Sequence, residues 1–322
     1  MIRFLVTRGH ERTLERVRAD ARAPRVETLD YDRAFAERRL ARALTVFTDH
    51  DRLSSWDLEL AAVLHRSLAA AGVPVANDPA RVKTRFALLR ALHEAGINDF
   101  NAYRADEGVK PARYPVFLRR EAGHGKPVSE LLTDWDALAH ARDAALAQGV
   151  PESSLLIVEY AAEPARPGVF RKLAVSRIGA QLLPQACVHD DHWLVKYGRT
   201  GCATPELYAE EERIVRENPY AEPLARAFAI AGIDYGRADF GLVGGRVQIY
   251  EINTNPTVRL GLPHPDPQRS ANLTRIWEAH LAALRALDPG ALPGAPVALR
   301  DPRLRRHQGW LDRYTRRGRA VP

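Results

Sequence analysis

An α/β fold with α+β character is expected for this 322-residue chain, and three features of the sequence predict it. Residues 1–80 alternate strand-length apolar runs with an amphipathic helical stretch. After Pro111 longer strand-like segments bracket further helices. Residues 234–253, "DYGRADFGLVGGRVQIYEIN", read as two strands joined at Gly244-Gly245. Strands alternating with helices call for a parallel sheet, whereas strands joined by a tight turn call for an antiparallel one.

The elements follow in order. "IRFLV", "LTVFT" and "VPVAN" are short apolar runs of strand length, and "SWDLELAAVLHRSLAAAG" between the last two has a serine N-cap candidate and a terminal glycine. Residues 80–96 carry helical apolar spacing and end at Gly96. "YPVFLRRE" and "SLLIVEYA" are strands around a helix at "WDALAHARDAALAQG", with Gly123 and Gly125 forming a flexible turn after the first. "FRKLAVSRIGAQLLPQA" gives two strands about a glycine. A polar loop, "VHDDHWLVKYGRTG", and a helix at "PYAEPLARAFAIAG" lead to the hairpin. A last helix, "SANLTRIWEAHLAALRAL", precedes the Pro/Gly-rich "DPGALPGAP" and a basic tail.

Charge and cysteine usage narrow the function classes. The net charge is +7, but from Arg300 onward eight arginines stand against Asp301 and Asp312, so +6 belongs to the tail and +1 to residues 1–299. The tail reads as a solvated terminal segment, uncoupled by the linker before it, and nucleic acid is not an expected partner. The opening "MIRFLVTRGHER" has only a short apolar run broken by Arg3, so no membrane partner and a cytoplasmic location are expected. Two cysteines, Cys187 and Cys202, suit free thiols in a reducing compartment.

The hairpin carries the chemistry. Residues two apart in a strand share a face, so Arg237 lies with Asp239 and Glu251 with Asn253. A two-residue turn would pair Asp239 with Tyr250 and send Glu251 to the other side. A three-residue turn would gather all four. A gathered set offers hard oxygen ligands suited to Mg²⁺ beside one guanidinium; the competing reading is an exposed Glu251 with Arg237 simply paired to Asp239.

The stretch from Gly232 to Pro256, with its Arg-x-Asp, turn and Glu-Ile-Asn, resembles the metal-binding end of ATP-grasp proteins, and a looser likeness runs back to about residue 75. The resemblance implies an ATP-grasp fold: a parallel pre-ATP-grasp domain over residues 1–84, a central lid subdomain over 85–160, and a C-terminal subdomain with the metal site over 161–290, followed by linker and tail over 291–322. It implies that Asp239, Glu251 and Asn253 hold Mg²⁺ (Mn²⁺ as an alternative) against ATP. Arg237 would steady the reacting acyl group, with Lys196 a second catalytic cation. "LLIVEYA" would present Glu159 and Tyr160 to the adenine, and Gly123 and Gly125 would form a flap over the phosphates, with Arg85, Arg119 and Lys172 as their cations. Arginine stands at 85 and 119 where the family usually has lysine, and it is no simple replacement. Lysine is scarce, at positions 83, 110, 126, 172 and 196 alone, which favours a role for Lys172 and Lys196.

The activity implied is ligation of a small-molecule or peptide carboxylate to an amine through an acyl phosphate. A kinase of a small molecule and a non-catalytic nucleotide-binding protein are the alternatives, and a homo-oligomer is allowed. "GHGKP" lacks the spacing of a P-loop. "HDDH" at 189–192 reads as a polar or substrate-facing loop, and "PELYAEEE" at 205–212 as a solvated helix face.

Overall fold

The computed structural model describes residues 1–257 and 264–307. The N-terminal part runs β1 (Ile2–Val6), α1 (Glu15–Ala19), β2 (Val26–Asp30), α2 (Tyr31–Ala36), β3 (Arg39–Leu40), β4 (Leu44–Phe47), α3 (Ser55–Ala70) and β5 (Val75–Ala76). It forms a parallel sheet of order β2-β1-β4-β5. Ser54 caps α3 by accepting the Asp57 N–H at 3.1 Å, which satisfies a backbone donor that the first helical turn leaves free.

The lid part contains α4 (Arg85–Glu94), β6 (Ala102–Arg104), β7 (Val116–Arg120), α5 (Trp135–Ala147) and β8 (Leu155–Glu159), with the antiparallel order β6-β8-β7. The helix expected over 80–96 starts only at Arg85, because Thr84 takes the extended cap conformation and accepts the Ala87 N–H. Apolar side chains on one face of this sheet pack against α5, and Leu156 and Val158 on the other face meet Leu89 and Phe100.

The third part comprises β9 (Pro164–Arg166), β10 (Val169–Ile178), β11 (Gln181–Pro184), β12 (Val188–Asp190), α6 (Pro205–Glu217), α7 (Ala221–Ala231), β13 (Tyr235–Val243), β14 (Arg246–Asn253) and α8 (Pro267–Leu287). Its main sheet has the order β11-β10-β13-β14, with β9 and β12 also paired to β10. One face buries Phe240 and Ile249 against α4 and against Phe228 of α7, and Asp239 and Glu251 lie on the other. Trp277 and Leu281 of α8 join Phe4 and Val6 of β1 and Tyr235 of β13 in a shared core, so the first and third parts are locked together.

Two expectations need correction. In α6, Glu211 is completely buried rather than solvated: it accepts the Cys187 N–H at 2.6 Å and lies 3.5 Å from Arg269. Burial pushes that carboxyl above its ordinary range, and the Arg269 charge and these hydrogen bonds oppose the shift without cancelling it. The chain after residue 290 is not uncoupled either. β15 (Val297–Ala298) pairs with β3, and Val297, Leu299 and Leu304 of α9 (Pro302–His307) enter the core under α2 and α3. The Pro/Gly stretch turns the chain but does not separate it, because three apolar residues beyond it have a core to fill. The tail after residue 307 lies outside the described residues. Among the described residues both cysteines are free thiols, and no helix is long and apolar enough to cross a membrane.

Leu304 has no solvent exposure. Leu304→Ala should therefore lower stability by about 2–4 kcal/mol, the usual cost of a large-to-small core change, read as a fall in the urea midpoint. A wild-type midpoint would show that the segment is not part of this core.

Candidate active site

The site is built by an irregularity in the hairpin. The turn is the two-residue Gly244-Gly245, both at positive φ (+55° and +76°), and Val243 pairs with Arg246. That register would put Asp239 opposite Tyr250. Instead it shifts between Phe240 and Asp239, so that Phe240 pairs with Ile249 and Asp239 with Glu251. Tyr250 is the extra residue of a β-bulge. Arg237, Asp239, Glu251 and Asn253 thereby come to one face, and direct cross-strand partners of this kind have Cβ atoms about 4.5–5.5 Å apart.

The bulged Tyr250 lies over Gly241, where a Cβ would fall 2.1 Å from its hydroxyl oxygen. Only glycine fits there. Tyr250 donates to the Ala161 carbonyl at 2.9 Å, which ties the hairpin to the end of the lid sheet.

Asp239 is 2% exposed and sits between two cations. The Lys172 ammonium donates to Oδ2 at 2.9 Å, and the Arg237 guanidinium to Oδ1 at 2.7 Å and Oδ2 at 3.3 Å. Burial pushes the carboxyl up, but the charges of Arg237 and Lys172 outweigh it and hold the group below the usual carboxylate range. Glu251 faces Arg85 at 3.0 Å, Arg119 at 3.8 Å and the His124 ring at 4.0 Å. Burial and the nearby Arg85 charge push Arg119 down to about 10, so it remains cationic at neutral pH. Four cationic side chains thus converge on two carboxylates, an excess that suits an anionic ligand.

These residues sit where two cavities meet. One, of about 140 Å³, is an apolar slot between lid and main sheet, lined by Leu89, Phe117, Val158, Tyr160, Trp193 and Tyr250. The other, of about 580 Å³, is polar and reaches to His10, Asp49, Arg237, Asn253 and His280. Lys172, Lys196, His124, Asp239 and Glu251 line both. The arrangement can take a molecule with a flat apolar end, a polyanionic middle and a reacting end in the polar chamber.

Of the residues singled out from the sequence, Arg119, Gly125, Tyr160, Lys172, Lys196, Asp239 and Glu251 line the slot, and Arg237 and Asn253 line the polar cavity. Arg85 and Gly123 stand behind them: Arg85 donates to the carbonyls of Arg120, Glu121 and Gly123 and to Glu251. Glu159 also lines the slot. Its carboxylate accepts from Tyr103, the N–H groups of Asn101 and Ala112, and Arg113, so its side chain fastens the lid sheet. Lys196 donates to the His124 carbonyl at 2.9 Å, holding the flap.

His124 and Trp193 are the additions. A single tryptophan inside a polar loop was the available signal for Trp193, whose ring lies 5.2 Å from Phe117 and 5.8 Å from Tyr160. The "HDDH" side chains diverge: His189 is buried, Asp191 pairs with Arg199, and His192 stands 3.5 Å from Glu130. No group of three or more His, Cys, Asp or Glu side chains among the described residues could hold a metal by itself.

The donor set on the sheet face is nonetheless one that suits Mg²⁺, with two carboxylates and the Asn253 carboxamide. The Asn253 oxygen also accepts the Asn255 N–H at 2.8 Å. Asn255 in turn donates to Asp49 at 3.0 Å, bringing the N-terminal part to the same cavity.

No family model and no curated protein matches the chain. Among solved structures it is similar to a RimK domain protein ATP-grasp from Sphaerobacter thermophilus, at 19% identity and a TM-score of 0.53, covering 90% of this chain and 99% of that one. It is also similar to a D-alanine–D-alanine ligase from Bacillus anthracis complexed with ATP, at 11% identity and a TM-score of 0.50, covering 89% and 94%. The architecture is the ATP-grasp fold.

The flap is latched in this structure by His124, whose Nε2 lies 3.0 Å from Asp51. Burial raises the Asp51 carboxyl, but the His124 hydrogen bond and the charges of His124, Arg52 and Arg85 leave it below its ordinary range. A depressed carboxyl stabilises above its unfolded value near pH 4 and loses that contribution as pH falls through the folded one. Asp51→Asn at pH 7 should speed amide exchange over residues 121–126 roughly 3- to 10-fold, as expected for a part-exposed pair contributing about 1 kcal/mol. Unchanged exchange would mean the contact does not hold the flap.

Proposed function

We propose that this protein is an ATP-dependent ligase that joins a carboxylate to an amine, or a similar nucleophile, and releases ADP and phosphate. The observation that carries the reading is the bulge at Tyr250, which turns Asp239 and Glu251 to one face where an apolar slot opens into a polar chamber. The likeness to the ATP-bound ligase supports the use of ATP.

In this reading the adenine lies in the slot between Tyr160 and Trp193, and the triphosphate runs toward Arg119, Lys172 and Lys196. Asp239, Glu251 and Asn253 would hold Mg²⁺, or Mn²⁺ in its place, which when bound neutralises phosphate charge. The substrate carboxylate, kept in the polar chamber, attacks the γ-phosphorus, the bond to the β–γ bridging oxygen breaks, and ADP leaves. The amine then attacks the acyl carbon, and the C–O bond to phosphate breaks. Arg237 presents N–H donors to the oxygen that carries the developing negative charge. Positioning and charge neutralisation are the main demands of phosphoryl transfer, and these side chains supply both. The flap carried by Gly123 and Gly125 keeps water from the acyl phosphate.

The direct test pairs small acids with amines, follows ADP release and identifies the product by mass spectrometry. A condensed product establishes the reaction; a phosphorylated alcohol in its place would identify a kinase. Glu251→Gln should cut ADP release at least 100-fold with little change in melting temperature, since the amide still accepts from Arg85. Asp239→Asn should be as inactive and also less stable by about 1–3 kcal/mol, because it takes the counter-charge from two half-buried cations. Near-normal ADP release by Glu251→Gln would remove the basis of this assignment.

A further inference from the structure

The far end of the polar cavity holds a histidine that nothing in the proposed reaction uses. His280 lies on α8, lines the cavity and is 3% exposed, yet neither ring nitrogen has a hydrogen-bond partner among the described residues. Its ring is held in place. It stacks on Trp277 at 5.8 Å and 10°, and Trp277 is itself fixed by its N–H to Asp20 at 2.8 Å and by Arg16 across its face. Burial pushes the imidazole down to about 4, so at neutral pH it carries one donor and one acceptor.

The neighbouring wall has the same character. Lys172, Ala174 and Ser176 alternate along β10 and all line the cavity; Ala174 is opposite Asp239, and Ser176 is opposite Arg237. Each such step is about 7 Å, so the lining passes from charged groups to a hydroxyl within the length of a small molecule. α8 packs on β10 and β11 at that end. Gln185 follows β11 and bonds through its backbone N–H to the Ala174 carbonyl. Leu273, two turns before His280 on the same face of α8, completes the end with an apolar contact.

We propose that this end recognises an uncharged hydrogen-bonding group on the substrate, a hydroxyl or a carboxamide, and that His280 is the specificity-determining residue. The molecule carrying that group is the acid or amine of the proposed ligase, and the inference rests on that reading to this extent. A hydroxyl or carboxamide supplies both a donor and an acceptor to a neutral imidazole. A carboxylate offers only acceptors and an ammonium only donors, and an alkyl group leaves both ring nitrogens unmet. Sites that must leave a buried polar group unpaired discriminate strongly against the ligand that fails to pair it.

The experiment measures binding, so it does not depend on turnover. Asparagine, leucine and aspartate, nearly equal in shape, are titrated calorimetrically as both enantiomers into the full chain with ADP and Mg²⁺. Serine and alanine form a second matched pair. The wild type should bind the polar uncharged member at least 10-fold more tightly than its apolar or anionic partner. His280→Leu should erase or reverse that ranking, and His280→Gln, which keeps a donor and an acceptor, should retain it. ADP affinity, set by the slot, checks that each variant is folded. A wild type without preference, no binding by any member, or an unchanged ranking in His280→Leu would overturn the proposal. The preference with no ADP release from any pair would refute the ligase reading and leave this recognition standing.

Discussion

Asp239 has almost no access to water, and much of the site is arranged so that it can remain ionised there. An isolated carboxylate at such depth would take up a proton, because removing its hydration costs far more than holding it neutral. Lys172 comes from the neighbouring strand and Arg237 from the same strand, two residues away on the same face, so its charge partners are set by sheet geometry. The arrangement couples fold to chemistry. Unless β10, β13 and β14 pair in this register, the carboxylate has no partners and Glu251 does not join it.

That register depends on one inserted residue. Tyr250 lengthens β14 by one position, and the effects appear on both faces of the sheet. On the core face the apolar positions run Val247, Ile249 and then Ile252, a spacing of two followed by three. On the site face Glu251 moves level with Asp239. The displaced tyrosine becomes a wall of the apolar slot and occupies the space above Gly241. Slot and charged cluster therefore share one origin. The loop beyond β14 extends the link to the N-terminal part. Asn255 bridges Thr13 and Asp49, and Asp49 holds a left-handed backbone at φ +55°, a conformation aspartate tolerates better than most residues.

Much of this was legible in the sequence. The longer strands and helices of the three parts followed from apolar periodicity and caps, because those elements bury one face and leave the other wet. The short β2, α1, α2, β3 and β6 carry too few residues to show a period. Which face of the hairpin Glu251 takes was left open between two turn lengths. The two-three spacing of Val247, Ile249 and Ile252 already contained the bulge that decides it, but strand alternation read from the polar residues alone does not reveal it. The fastening role of the Glu159 carboxylate was not legible, because a carboxylate at a strand end looks the same whether or not it accepts backbone N–H groups; only the three-dimensional position of Asn101 and Ala112 shows it. Glu211 and the segment around Leu304 were misjudged for a related reason. Local composition was polar or Pro/Gly-rich, and tertiary partners distant in sequence supplied the compensation.

The arginines at 85 and 119 show why a like-charged replacement changes a site. Arg85 spreads its donors over four oxygens, three of them backbone carbonyls of the flap region and one a carboxylate oxygen of Glu251. An ammonium has three donors on a single nitrogen and cannot span that set. Arg85 therefore joins the Gly123 loop to Glu251, which in the proposed reading cover and face the phosphates. The donors on its two terminal nitrogens are already engaged, so in the proposed reading direct phosphate contact falls to Arg119, Lys172 and Lys196. Arg119 has the geometry for it, being half-buried, cationic, and only 3.8 Å from Glu251. The two guanidiniums differ in what they already hold: Arg85 has four oxygens on its terminal nitrogens, whereas Arg119 has only the more distant Glu251 carboxylate among the described residues.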